Sequence, residues 1–324
     1  MKKFVCFLVI GCMLLSSLVA CSFTENNETS SFSQTENVSS SSEDFPVTVR
    51  DVTIGTKPTR VVSLSPVWTD LICGYGYEDT LVGRSSNCVF STSVMRLTDV
   101  GTAAEPKIED IIKLSPEYVF TTQPLSENAT MWLSKNNIAV IYFPHPTSIK
   151  ELTGLYSDLA VIFEGKTEGI LQGARNAKAF TDKLDELRQK IEIYRRANGE
   201  SEAVSVLIIH ALDNYIAASS TIEHDILEYI GIGNAAEESV GYYVSDENLK
   251  SINPHLIAVS KSVNPSDLST NSLFKVKTAV KQNNIILIDT SLIEKCSNNM
   301  LWVFYDIAES LYPGVSDVDL TVLQ

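Results

Sequence analysis

Basic residues are scarce in this chain: 25 Lys and Arg stand against 40 Asp and Glu, a net charge of −15 over 324 residues. Nucleic acid needs a basic stripe or patch on its partner, so it is excluded as a ligand class. An anionic membrane surface is equally unattractive. Histidine is rarer still, with four residues, and they yield no set of three or four ligands for a bare zinc or manganese ion. The sequence carries no nucleophile elbow, phosphate loop or zincin helix. A Gly231-x-Gly233-x-x-Ala236 run matches a dinucleotide fingerprint only superficially. It follows a helix where that motif needs a strand, and it reads as a helix C-terminal turn. The missing catalytic constellation argues against an enzyme, and no cofactor is expected.

Apolar residues are almost absent from residues 22–44, which are rich in Ser, Thr, Asn and Glu. Such a segment cannot bury enough surface to fold and reads as a flexible tether. Before it stand Lys2 and Lys3, an apolar run at 4–15 that is short for a membrane span, and Leu18-Val19-Ala20-Cys21. This is the pattern of a secretory signal peptide over residues 1–20. Its last four residues have the form of a bacterial lipobox, in which cleavage leaves Cys21 as a lipid-modified N-terminus. Of six cysteines, removal of the signal leaves four. With Cys21 assigned to the lipid, Cys73, Cys88 and Cys296 are an odd number without metal-like spacing. They read as free or packed thiols, with one disulfide possible.

What is present is enough apolar content, 44%, for real cores, and a length that allows two domains of ordinary size. The organising stretch is residues 101–123, GTAAEPKIEDIIKLSPEYVFTTQ. Pro106 suits a first helical turn. Ile108, Ile111, Ile112 and Leu114 make an apolar helix face, Ser115-Pro116 ends it, and Tyr118, Val119 and Phe120 make a short buried strand. A second copy, SDENLKSINPHLIAVSKS, spans residues 245–262. In both units a Glu precedes a Pro by seven residues, Glu109 before Pro116 and Glu247 before Pro254, 138 residues apart. An internal repeat of this kind implies two similar lobes, each with an exposed Glu on the same kind of helix.

Short strands alternate with helices along the chain, which indicates βαβ units and parallel sheets. In the first half the pattern gives strands at 60–64, 80–82 and 138–143, and helices at 68–75 and 131–137. Residues 148–163 and 167–197 read as helical. In the second of these, Ile170, Ala177, Leu184 and Ile191 recur every seven residues, and Phe180, Leu187 and Tyr194 fill the seam. Such an element between two lobes is a rigid strut. The second half gives strands at 203–209, 215–218 and 284–288 and helices at 222–230 and 300–311, with Ser220 and Glu223 as a capping box. The expected division is therefore a signal at 1–20, a tether at 21–44, an α/β lobe at 45–147, a helical linker at 148–198 and a second α/β lobe at 199–324.

Ligands of open α/β sheets bind beyond the strand C-termini. His145 and His210 both stand there, one in each lobe, which leaves two readings: ligation of a metal or iron-bearing cofactor across a cleft, or ordinary loop histidines. His224 and His255 read as structural. Trp68, Arg84, Phe90, Tyr215, Tyr242 and Tyr243 fall in loops expected to face the cleft, and aromatics with a few polar groups suit a flat or greasy ligand. Glu109 and Glu247 are candidates to meet arginines on a partner.

Three segments carry a specific resemblance: RVVSLSPVWTDLICGYGYEDTLVGRSSNCVFS, VGTAAEPKIEDIIKLSPEYVFTT and VSDENLKSINPHLIAVS. They resemble the solute-binding proteins of the vitamin B12, haem and ferric-siderophore uptake ABC transporters, over about residues 59–312. The resemblance implies two Rossmann-like lobes, each a parallel β-sheet flanked by helices, joined by one long α-helix with little domain closure. It also implies that Glu109 and Glu247 match the carboxylates that dock on permease arginines. An axial Met of the haem-binding branch has Ala104 in its place here, whereas the aromatic ligand contact of the B12-binding branch is kept in kind at Tyr242 or Tyr243. The expected protein is a monomeric, lipid-anchored carrier outside the cytoplasmic membrane. It would deliver an iron-siderophore, haem or cobalamin-type ligand to a permease dimer with its ATPase. The alternatives are a carrier of a first-row metal ion and, on the same fold, a metal-cofactor enzyme.

Overall fold

The computed structural model describes residues 44–88, 91–200 and 204–316. Cys21 and Phe90 lie outside the described residues, as do the signal and nearly all of the tether. The described chain opens with a hairpin, β1 (Val47–Val49) and β2 (Val52–Ile54), paired antiparallel. Its two-residue turn places Arg50 and Asp51 at φ 49° and 68°, the left-handed values that a tight hairpin demands.

Two five-stranded sheets follow. In the first, the parallel order is β5-β4-β3-β6-β7, with β3 Val61–Ser63, β4 Leu81–Arg84, β5 Thr98–Asp99, β6 Tyr118–Thr121 and β7 Ala139–Tyr142. In the second it is β10-β8-β11-β12, with β8 Ser205–Ala211, β10 Gly233–Asn234, β11 Leu256–Ser260 and β12 Ile285–Ile288. The short β9 (Tyr215–Ile216) adds antiparallel to the C-terminal end of β8. Removing β5 and β9 leaves the same order twice, β4-β3-β6-β7 and β10-β8-β11-β12. The repeat in the sequence is thus a repeat in topology.

Alternate strand residues face opposite sides of each sheet, and both sides are buried. Val61 of β3, Val206 and Ile208 of β8, and Leu256 and Ala258 of β11 belong to one apolar cluster. Val62 and Val119 belong to a second, and Leu207, Ile209, Ile257 and Val259 to a third. The first cluster runs through both sheets. Helices α1 (Pro66–Gly74), α5 (Ile149–Glu164), α6 (Thr167–Asn198), α7 (Ile222–Tyr229), α11 (Thr290–Glu294) and α12 (Leu301–Leu311) fill it. The outer face of the first sheet is covered by α3 (Ile108–Leu114) and α4 (Glu127–Lys135). The outer face of the second is covered by α8 (Asp246–Ser251), α9 (Pro265–Thr270) and α10 (Thr278–Lys281). The one-turn α2 (Thr92–Met95) precedes β5.

The long helix α6 has 32 residues, about 48 Å at 1.5 Å per residue. It lies back on α5 as a helical hairpin. The buried face of α6 is Gly169, Gly173, Asn176, Phe180, Leu184, Leu187 and Ile191. The expected seam therefore holds in the second half and fails in the first, where Ile170 is 61% exposed. Two glycines replace it because the helices touch there: a Cβ on Gly169 or Gly173 would stand 2.7 Å from the Cα of Val161 or Ser157. Helix starts also shift with their caps. Ser126 accepts from Ala129 N–H, so α4 begins before the apolar pattern. Pro106 bridges to Gly101 outside α3. Thr221, not Ser220, caps α7, because Ser220 sits at φ 61°.

Candidate functional site

The C-terminal ends of the strands place the candidate residues. His210 is the penultimate residue of β8, 5% exposed. Its Nε2 is 2.9 Å from Oε1 of Glu223, which has no exposed surface. A carboxylate accepts, so the imidazole proton sits on Nε2. The Tyr242 hydroxyl donates to the other carboxylate oxygen, Oε2, at 2.9 Å. Tyr215, Tyr242 and His210 then form an aromatic group, with ring centroids 4.8 Å apart for His210–Tyr215, 5.4 Å for His210–Tyr242 and 5.3 Å for Tyr215–Tyr242. Burial, then the Glu223 charge, pushes the Tyr242 phenol up, so it stays a donor. Burial also raises the Tyr215 phenol, with the Glu294 and Glu223 charges adding. The remaining ring nitrogen of His210, Nδ1, is buried without a protein partner. Outside this group, Tyr243 is 67% exposed and bridges to Tyr215 through the backbone.

His145 approaches the second half of the chain. Its Nε2 lies 3.3 Å from the Glu294 carbonyl oxygen and 3.3 Å from Cys296 Sγ, and its Nδ1 lies 3.2 Å from the Pro146 carbonyl oxygen. Tyr156 of α5 donates to the Cys296 carbonyl at 2.9 Å. Burial, then the Glu223, Asp70 and Glu294 charges, lifts the Cys296 thiol well above its ordinary range. His145 is thus a tie between the two halves, and His210, like His224, keeps a buried Nδ1 without a protein partner. Cys73, Cys88 and Cys296 are free thiols.

Two expectations need correction. Trp68 does not face a cleft. Its position in α1 is in phase with Val67, Leu71 and Ile72, so it turns into the core with no exposed surface. There it packs on Phe120 and Phe143, 4.8 and 4.9 Å between centroids. Arg84 ends β4 and is also buried, its Nη1 donating to the Ser85 carbonyl at 3.0 Å and standing 3.8 Å from Asp99. Asp99 is held down to about 2 by the Gly101 N–H first and the Ser86 hydroxyl next. Sequence reasoning also missed a central residue. Glu223 read as a capping residue, and only its 13-residue separation from His210 across a strand and a helix brings the two together. His255 is structural as expected, its Nδ1 accepting from Ser205 N–H at 3.1 Å.

A cavity of about 650 Å³ opens elsewhere, between the later half of α1, α6 and residues 297–299. Asp70, Tyr75, Gln172, Asn176 and Asn298 line it, and burial raises the Asp70 carboxyl. Among the described residues, no group of three or more His, Cys, Asp or Glu is gathered around one point.

Glu109 and Glu247 occupy matching places. Each is the second residue of its helix, α3 or α8, and each is exposed. Lys113 pairs with Asp110 rather than with Glu109. Each helix leads through Pro116 or Pro254 into β6 or β11, which pairs with the first parallel strand of its sheet, β3 or β8. A helix packed antiparallel to its strands starts beside their C-terminal ends, so both carboxylates belong to that edge.

Known proteins share this layout. The sequence pattern of the family described as periplasmic binding protein matches residues 61–292. YvrC of Bacillus subtilis, an uncharacterized ABC transporter substrate-binding lipoprotein, is 25% identical over 279 residues, 83% of this chain and 86% of its own. A cobalamin-binding protein of Halobacterium salinarum is 24% identical over 269 residues, 78% and 70% of the two chains. Among solved structures, the periplasmic heme-binding protein HutB of Vibrio cholerae superposes with a TM-score of 0.63 at 22% identity, over 79% of this chain and 99% of its own. The vitamin B12-binding protein BtuF of Vibrio cholerae gives 0.59 at 16%, over 78% and 96%. At these identities the two structures speak for the fold.

Proposed function

The chain belongs to the periplasmic binding protein family, and from that premise we propose that it is the extracytoplasmic substrate-binding component of an ABC importer. Its cargo is a flat, metal-bearing ligand of the iron-chelate, haem or cobalamin kind. The observation that carries this reading is the His210 site. Glu223 accepts a hydrogen bond from Nε2–H, which leaves the buried Nδ1 as the unpaired acceptor of the ring; second-sphere carboxylates orient metal-binding histidines in this way. Tyr215 packs against His210 and suits the face of a planar ligand, and the exposed Tyr243 bridges to Tyr215 through the backbone. The relative named for cobalamin supports the same ligand class.

The cargo is carried without covalent change. A lipid on Cys21 holds the protein to the outer face of the membrane, residues 22–44 act as the tether, and the two lobes and their linker follow the division drawn from the sequence. Glu109 and Glu247 dock on arginines of the permease dimer.

An absorbance and thermal-shift screen against haemin, cobalamin and ferric siderophores tests the reading. A ligand at 100 times its Kd stabilises the protein by about 2.7 kcal/mol. His210→Ala should then alter the spectrum of the bound chromophore. No ligand in the panel raising the melting temperature would refute the ligand class.

A further inference from the structure

The two acid-bearing helices share a feature that the sequence repeat does not contain. A helix of six or seven residues leaves its last carbonyl groups without internal partners, and something outside must satisfy them. For α3 that partner is Arg60, just before β3. Its Nη2 donates to the Leu114 carbonyl at 2.5 Å and its Nε to the Ser115 carbonyl at 3.3 Å. For α8 the partner is Lys277, just before α10. Its Nζ donates to the Leu249 carbonyl at 2.5 Å and to the Ile252 carbonyl at 2.6 Å. The two cations come from unrelated points of the repeat, one ahead of the first strand and one after the third. They nevertheless do the same thing at the same end of matching helices.

The choice of residue at 277 is informative. Lys277 is 2% exposed, and a buried ammonium is costly unless its donors are met. Burial lowers its affinity for the proton. An apolar residue would fill the space at less cost, so the cation is there for the carbonyls it holds. A positive charge at a helix C-terminus also complements the helix dipole.

We propose that Arg60 and Lys277 are positioning residues for docking: each clamps the C-terminal turn of one acid-bearing helix from outside, and so fixes the direction of Glu109 or Glu247. This rests on the docking role given above to those two carboxylates. Short helices with four or fewer internal hydrogen bonds fray readily. A frayed α3 or α8 would still fold back beside its sheet but would present its carboxylate over a range of directions, and a pair of contacts at fixed separation would lose register.

The test uses the full lipoprotein with its permease and ATPase in liposomes. Arg60→Met and Lys277→Met are compared with wild type in three measurements. Affinity for the cargo should stay within about twofold, because neither side chain reaches the His210 group. The concentration of binding protein that half-stimulates ATP hydrolysis should rise roughly tenfold in each variant, the scale of a lost charged contact. Amide exchange should quicken at residues 108–114 in Arg60→Met alone and at 246–252 in Lys277→Met alone. Arg60→Lys and Lys277→Gln, which keep donors, should recover part of the stimulation. Arg60 is exposed, so its variant tests the idea even if Lys277→Met folds poorly. Glu109→Arg with Glu247→Arg serves as the reference. If that pair abolishes stimulation while both Met variants stimulate like wild type, the clamp is refuted and docking stands. If that pair stimulates normally, docking falls and the clamp with it.

Discussion

Oδ2 of Asp225 accepts a hydrogen bond from the backbone N–H of Ile149 at 2.7 Å. Ile149 is the first residue of α5, and Asp225 belongs to α7 in the second half of the chain. The helix that starts the linker is therefore capped twice, by its own Ser148 and by a carboxylate from beyond the linker. Asp225→Ala should lower unfolding free energy by about 1–2 kcal/mol, combining a lost cap with a lost charge at a helix N-terminus. Asp225→Asn, which keeps an acceptor, should lose less. Denaturant midpoints measure both, and equal stability of Asp225→Ala and wild type would show the contact to be idle.

The same contact, with His145 on Glu294 and Tyr156 on Cys296, ties the two halves together at the sides of α6. Small-angle scattering with and without cargo should therefore give nearly superimposable profiles. A clear drop in radius of gyration on binding would contradict the tied geometry.

Glycines in the α5–α6 hairpin should respond to the same substitution with opposite signs. Gly154 has nothing within 4 Å of an added Cβ, so Gly154→Ala should stabilise by about 0.5–1 kcal/mol through helix propensity. At Gly173 the added Cβ meets Ser157 Cα at 2.7 Å. Backbone must move, and Gly173→Ala should cost about 1–3 kcal/mol. Thermal melting of the two variants decides it, and a shared sign would refute the close contact.

Asp99 provides a pH signature. Its carboxyl is held to about 2 against an ordinary 3.8. A depressed carboxyl adds stability that is fully present above about pH 4 and is lost as the pH falls toward 2. Asp99→Asn should flatten the stability profile in that window and lower the plateau above it, because the contribution of the ionised carboxylate is then missing near neutrality as well. An identical acid limb in wild type and variant would show that Asp99 contributes nothing to it.

The parts of this fold that could be read from the chain are those encoded locally. Parallel strands appear as short apolar runs between helices, and the Glu–Pro units mark matching helices because Pro116 and Pro254 end a helix wherever they occur. The second half of the α6 seam is legible because Phe180, Leu184, Leu187 and Ile191 face the core as apolar residues should. Its first half is not, because close helix contact selects Gly169 and Gly173, which carry no hydrophobic signal. The β1–β2 hairpin was missed for a similar reason: its turn is Arg50-Asp51, without the Asn or Gly that announces positive φ. Trp68 leaves its expected place at the cleft because α1 begins at Pro66, two residues ahead of the helix expected from residue 68. Helical phase then sends the indole inward. Glu223 was hidden most deeply. A Glu three residues after a Ser reads as a local cap, and only the packing of α7 on β8 turns it into the partner of His210 and Tyr242.

The apolar cluster that passes through both sheets has a consequence for what counts as a unit in this molecule. Val61 and Trp68 from the first sheet side share it with Val206, Leu256 and Phe304 from the second, and α5 and α6 lie among them. Cut away from its counterpart, either half would present a greasy wall to water. The repeat that divides the chain in two by topology therefore does not divide it in two thermodynamically. A protease that nicks the segment between Asn198 and Ser205 should leave fragments that stay together through gel filtration and melt in one transition, as a single body with two chain ends more.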